Sequence, residues 1–168
     1  VRNPGFTKKD YEEVFNKYLG VTNVIWLNKG IAGDDTHGHV DDITRFVNPN
    51  TVVTVIESHP NDSNYISLME NREILESAKL EDGSGLNIVE LPMPSPVIFK
   101  SERLPASYSN FYISNYAVLV PTFNEPNDRI ALGILSELFE DREVIGIHAV
   151  DLVWGLGTLH CLTHEQVL

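Results

Sequence analysis

The 168-residue chain carries 24 acidic against 12 basic side chains, a formal net charge of −12, with 42% hydrophobic residues and a mean hydropathy of −0.11. This is one domain's length of chain with enough apolar material for a core. Its charge speaks against a nucleic-acid backbone or an anionic membrane as partner and leaves room for a cationic one, an acidic surface kept for solubility being the plain alternative. No apolar run approaches the roughly 20 residues of a membrane span, no signal-like segment opens the chain, and the lone cysteine, Cys161, fits a reducing compartment such as the cytoplasm.

In chain order, Asn3-Pro4-Gly5 predicts a turn, and Thr7 with Asp10 three residues on predicts a capped helix running to about Leu19, where Gly20 ends it. Tyr11, Val14, Phe15 and Tyr18 share one face of that helix. Asn23 to Leu27 reads as a short buried strand, with Trp26, like Trp154 later, a core or wall aromatic. A polar loop follows, Gly33 to Asp42. Ile43 to Val47, a turn at Asn48-Pro49-Asn50 and Thr51 to Glu57 predict a hairpin. Pro60-Asn61-Asp62 then opens a helix with Tyr65, Leu68, Met69 and Leu75 as apolar positions, Gly83-Ser84-Gly85 breaks the chain, and Leu86 to Leu91 is a strand.

The pattern then recurs. Phe111 to Ile113, a turn at Ser114-Asn115, Ala117 to Pro121, a helix opened by Pro126-Asn127-Asp128 and a strand from Glu143 to His148 repeat it, and the two Pro-Asn-Asp triplets lie 66 residues apart. Two strand-strand-helix-strand units of similar length form a repeat. Units arranged round an axis bring equivalent loops together, so His39-Val40-Asp41, Ser107-Tyr108-Ser109-Asn110 and His160-Cys161 should converge on one centre. The proline-rich stretch 92–105 falls inside the repeat and reads as a long loop near it rather than a linker.

Cys161 follows Gly155-Leu156-Gly157 closely and adjoins His160. A lone cysteine cannot close an intramolecular disulfide, so it either packs or does thiol chemistry, and glycines that admit close backbone approach favour the chemistry. If His39 and Asp41 lie on a strand, alternation puts both on one face, and with a distant cysteine they form a set for covalent catalysis. If the Cys161 segment is extended, His160 faces away from the thiol; His37 and His164 read as solvated loop residues. A competing pattern is a metal site on His37, His39, Asp41 and Asp42, which leaves Cys161 and the repeat unexplained.

Taken together, Trp26-Leu27, Gly33-Asp34-Asp35-Thr36, Gly38-His39-Val40-Asp41, Leu104-Pro105-Ala106-Ser107-Tyr108 with Asn110-Phe111-Tyr112-Ile113, Val120-Pro121-Thr122-Phe123 and the Cys161 segment resemble the agmatine deiminase and bacterial peptidylarginine deiminase family, of the guanidino-group-modifying or pentein superfamily. The resemblance implies an α/β fold, a propeller of five ββαβ modules around a polar pore. Of this the chain would be the C-terminal part of a single catalytic domain, with modules at about 42–91 and 110–148 and the start of another at 158–168. It opens on Val1 rather than methionine, as a cut or processed start would, and nothing before residue 20 matches the region where the family holds a further guanidinium-binding aspartate. By motif position the resemblance makes Cys161 the nucleophile, His39 the general acid/base and Asp41 a guanidinium clamp, with Asp35, Asn110 and Gly157 at the substrate.

The implied reaction is hydrolysis of agmatine to N-carbamoylputrescine and ammonia, a step of putrescine and polyamine biosynthesis, through a thiouronium on the cysteine. Peptidyl or free arginine as substrate, and a non-catalytic half-propeller, are the alternatives. No metal and no cofactor is implied; the partners would be a small cationic guanidino substrate, the N-terminal half of the same protein and a second copy in a homo-oligomer. Gly155-Leu156-Gly157-Thr158 stands where the family often has Gly-Gly-Gly-Asn, and Asp42 replaces a common asparagine. These departures bear on substrate identity, and Asp34, Asp35 and Asp42 are the carboxylates available for agmatine's amine end.

Overall fold

The computed structural model describes residues 3–35 and 38–166. Helix α1, Lys8–Leu19, starts and stops where its caps dictate: the Thr7 hydroxyl accepts from the Asp10 amide, the Asp10 carboxylate accepts from the Thr7 amide at 2.6 Å, and Gly20 turns left-handed at φ 70°. The helix buries none of its residues, and Tyr18 and Leu19 remain exposed. Its one anchored flank meets Trp26, whose indole packs edge-on to Tyr11 and donates to Glu12 at 2.8 Å.

Residues 23–27 do not form the expected strand. Side chains of α2, Tyr65–Ser77, and of its N-cap take over as hydrogen-bond partners just beyond them: Asn71 accepts from the Asn28 amide at 2.7 Å and donates to the Lys29 carbonyl at 2.8 Å, while the N-cap Asn64 accepts from the Ala32 amide at 2.7 Å. Seven residues apart, Asn64 and Asn71 share one helix face, and both are buried. Two polar residues on a face that hydrophobic patterning would assign to the core thus tether the 28–32 loop.

The repeat is present. In the first unit β1 (Thr44–Asn48) pairs antiparallel with β2 (Thr51–Ile56), and α2 crosses over to β3 (Asn87–Pro92), which runs parallel to β2. In the second, after the two-residue strands β4 (Ile98–Phe99) and β5 (Glu102–Arg103), β6 (Tyr112–Ile113) pairs antiparallel with β7 (Ala117–Thr122), and α3 (Pro126–Leu138) leads to β8 (Glu143–His148), parallel to β7. The result is a mixed α/β chain with small mixed sheets. Central strands β2 and β7 are near-continuous apolar runs, as strands covered on both faces must be, with Val52, Val53, Val55, Val118 and Val120 fully buried.

The two Pro-Asn-Asp triplets play different parts. The second opens α3, with Pro126 in its first turn and Asp128 reaching back to the Glu125 amide at 3.1 Å. The first lies one turn ahead of α2, because the Asp62 carboxylate is engaged by Arg103 and by the Asn64 amide, both at 2.8 Å. The 92–105 loop contains the β4–β5 hairpin, and the Trp154 ring, half exposed rather than in the core, stacks on Phe99 with ring centroids 4.0 Å apart.

Between the units, residues 104–111 are buried without a break although only irregular backbone connects them. Buried polar backbone needs partners. Arg45 on β1 donates to the carbonyls of Ser109 (3.3 Å) and Phe111 (2.8 Å), with its guanidinium over the Phe111 ring, and the Ser107 hydroxyl donates to the Asp42 carbonyl at 2.8 Å. This buried strap places Asn110 beside the residues around 40 and 160.

Candidate active site

Cys161 lies on a turn, not in an extended segment: the Leu162 amide returns to the Thr158 carbonyl and the Thr163 amide to that of His160, both at 3.2 Å. Neighbouring side chains therefore do not alternate to opposite faces as on a strand, and His160 turns toward the thiol's surroundings rather than away from them. Its Nδ1 stands 2.7 Å from Asp41 Oδ2. The turn demands a missing side chain at Gly157, where an added Cβ would lie 2.6 Å from the Cys161 Cβ and 2.9 Å from its Sγ. Gly157, expected at the substrate, packs its backbone directly against the Cys161 side chain. Leu156, a non-glycine residue, holds a left-handed conformation at φ 65°.

His39, Val40 and Asp41 do not lie on a strand. Val40–Asp42 form a single 3-10 turn that His39 precedes. Asp41 points to the cysteine: its Oδ2 is 3.3 Å from the Cys161 Sγ, 3.1 Å from the Asn110 Nδ2 and 2.7 Å from His160. His39 is engaged on the other side, its Nδ1 2.9 Å from Asp34 Oδ1, while Asp34 Oδ2 accepts from the amides of Gly38 and His39 at 2.8 Å. That loop is pinned through Gly33, at φ 94°, whose backbone presses so closely on residues 103–105 that a Cβ would collide with them.

Asn110 is the hinge of the cluster. Its Oδ1 accepts from Thr158 Oγ1 (2.8 Å) and from the amides of Thr158 (3.2 Å), His160 (3.1 Å) and Cys161 (3.3 Å). These donors fix which way the amide faces. Its Nδ2 lies 2.9 Å from Asp42 Oδ1, 3.1 Å from Asp41 Oδ2 and 3.1 Å from the Cys161 sulfur.

The ionisation states follow from these neighbours. Burial opposes the charge on Asp41, but hydrogen bonds from His160 and Cys161 outweigh it and hold the carboxyl below its ordinary range. Asp42, one residue on, is buried and goes the other way: desolvation first, then the charge of Asp41, push it up to about 7. Cys161 is exposed as a residue, yet partial burial of its sulfur, followed by the Asp41 contact, pushes the thiol up to about 11 against a lowering hydrogen bond from Asn110. With Asp42 buried against Asn110, it cannot stand at a substrate's amine end; Asp35 is exposed and Asp34 is taken up by His39.

Cys161, Asp41, Asn110 and Gly157 thus come together, and His39 with Asp35 gathers around Asp34. The sequence reading turned His160 away from the thiol, offered Asp42 for a substrate's amine end, noted Thr158 only as a departure from the family pattern, and missed Arg45. Two glycines just before the cysteine signalled a turn, which would have kept His160 in view; Arg45 sits on a strand and gave no such signal. Of the competing metal set, His37 lies outside the described residues. Among those described, the one close group of His, Cys, Asp and Glu ligand atoms is Asp34, Asp35 and His39, which leaves out Asp41 and Asp42. Among the described residues no helix is long and apolar enough to cross a membrane.

Over residues 1–166 the chain matches the Porphyromonas-type peptidyl-arginine deiminase family, and it belongs to that family. Among curated relatives it is 37% identical, over 98% of its own length and 48% of the other's, to a Legionella pneumophila protein provisionally named an agmatine deiminase. Two solved structures superpose closely. One is a Porphyromonas gingivalis protein provisionally named an arginine deiminase, 41% identical, with a TM-score of 0.90 over 95% of this chain and 47% of that one. The other is a cysteine-to-serine variant of a C. jejuni agmatine deiminase with substrate bound, 31% identical, with a TM-score of 0.86 over 94% of this chain and 46% of that one. The chain spans about half the length of the relatives it matches.

Proposed function

We propose that the intact protein is a hydrolase that removes ammonia from a guanidino group, with Cys161 as nucleophile. The observation that carries this reading is the 3.3 Å approach of the Cys161 sulfur to the Asp41 carboxylate, with the Asn110 amide against both. A guanidinium is planar and cationic, so an edge-on carboxylate binds it and places its central carbon next to the thiol. The same cation, once bound, favours the thiolate that the neighbouring carboxylates disfavour in its absence. Attack forms the C–S bond; protonation of the leaving nitrogen releases ammonia and leaves a thiouronium, which an activated water then hydrolyses.

His39 is the proposed acid/base, held by Asp34. A second assignment rests on a specific contact: His160, the residue adjoining Cys161, donates to the Asp41 carboxylate at 2.7 Å, so it too is placed to move a proton there. Asp35 and Asn110 are the proposed substrate contacts. Agmatine is favoured over peptidyl or free arginine because a small dication suits a net charge of −12, with Asp35 as the carboxylate for the amine end. A five-module propeller, closed by an N-terminal half, would shut the pore around these groups.

The test is ammonia release by the intact protein. Cys161→Ser and Cys161→Ala should abolish it while circular dichroism is unchanged, and near-normal turnover by the serine variant would end the covalent reading. Agmatine, free arginine and an arginine peptide assayed side by side decide the substrate, a preference for the peptide by kcat/KM reversing the assignment.

A further inference from the structure

We propose that Asp42 is a positioning residue for the nucleophile, acting through Asn110: the ionisation of its carboxyl decides whether an amide hydrogen is available to the Cys161 sulfur. The argument is a count of protons. Asn110 cannot flip, because four donors converge on its Oδ1. Its Nδ2 has two hydrogens and faces three acceptors, Asp42 Oδ1, Asp41 Oδ2 and Cys161 Sγ, at 2.9, 3.1 and 3.1 Å. As a thiol, Cys161 can itself donate to Asp41. As a thiolate it becomes an acceptor and needs a hydrogen from Asn110.

A charged Asp42 competes for that hydrogen, since hydrogen bonds to ionised acceptors are roughly twice as strong as neutral ones. A neutral Asp42 gives it up. Asp42 is 1% exposed, and its Oδ2 is buried without a hydrogen-bond partner, an arrangement that penalises the charged form. The groups whose charges act on it are Asp41 and Asp34, which oppose ionisation, and His39, which favours it along with the Asn110 hydrogen bond. Arg45, from β1, acts on Asp41 and Cys161. Burial and Asp41 bring the Asp42 carboxyl to about 7, so the competition sets in as pH rises through neutrality. Below that pH the amide is free for the sulfur once the thiol proton leaves, as when a guanidinium binds; above it the amide is held by Asp42, whose charge further disfavours the thiolate.

The inference rests on Cys161 as the nucleophile of the proposed deimination, but its test reads the thiol directly, so failure of the coupling and failure of the activity are separate results. Alkylation of Cys161 by iodoacetamide in the intact protein is followed across pH by peptide mass spectrometry. Asp42→Asn should lower the midpoint by about one pH unit, giving about tenfold faster alkylation at mildly alkaline pH. In an Asn110→Ala background the same change should produce a much smaller shift. An unchanged or raised midpoint in Asp42→Asn, or an equal shift without the Asn110 amide, overturns the proposal. Should either variant fail to fold, the ¹³C titration of the Asp42 carboxyl in the wild-type protein decides: a midpoint above about 6 supports it and a lower one overturns it.

Discussion

At the scale of single residues, the site is built around one carboxylate oxygen and one amide. Asp41 Oδ2 meets His160, Cys161 and Asn110, so that the candidate clamp for the substrate also orients the candidate nucleophile. Gly157→Ala should therefore act on geometry alone: the added methyl displaces the Cys161 side chain, and kcat should fall by about a hundredfold, the cost of roughly an ångström of misplacement, with little change in KM. Activity within twofold of wild type would show that the turn yields. The two histidines separate by the step they serve. If His39 activates water, His39→Ala should accumulate a Cys161 adduct in the quenched reaction, whereas His160→Ala should weaken the hold on Asp41 and slow formation of that adduct; intact-mass spectrometry reads both, and the reverse pattern would exchange their roles.

At the scale of elements, hydrophobic periodicity and turn residues were enough for most of the chain. The Thr7–Asp10 capping box, the Asn48-Pro49-Asn50 hairpin and the crossover helices follow from local chemistry, and the structure has them within a few residues. The 23–27 stretch failed because apolar residues alone do not make a strand: a strand needs a neighbour to pair with, and the loop just beyond it is held instead by side chains of α2. Asn71→Ala removes an acceptor for the Asn28 amide and a donor for the Lys29 carbonyl. At about 1 kcal/mol for each hydrogen bond lost, it should lower the urea midpoint and loosen amide-exchange protection around residues 28–32 first. A loss spread evenly over the chain would argue against a local tether.

At the scale of the molecule, the relatives are about twice as long as this chain, and several apolar side chains on one side stand in the open: Phe46 on β1, Val40, and a groove lined by Phe15, Leu19, Val21 and Ile25 among others. Strand β1 is at the edge of its sheet, an arrangement prone to pairing with other chains. The 168 residues alone are accordingly expected to self-associate and to release no ammonia, since a proposed propeller left unclosed would let water weaken each contact to a guanidinium. Size-exclusion chromatography over a concentration series and an ammonia assay, with and without the N-terminal half of a full-length relative in trans, check both. Turnover by this chain alone at a rate typical of enzymes would show that the site is complete without the other half.

The sequence by itself determined the elements that local chemistry controls: capped helices, a prolyl hairpin turn, the repeated unit, and through its motifs the family and the identity of Cys161, Asp41 and Asn110 as companions. What only the tertiary structure decided is which neighbours each polar group meets. The turn at 159–162 brings His160 to Asp41, the close approach at Gly33 holds the His39 loop against the buried strap, and Arg45 satisfies that strap from a different element. Asp42 shows the reason most plainly. Its sequence context is that of a polar loop, but its ionisation depends on burial and on an aspartate and an asparagine packed around it, and those are fixed only when residues near 40, 110 and 160 are folded together.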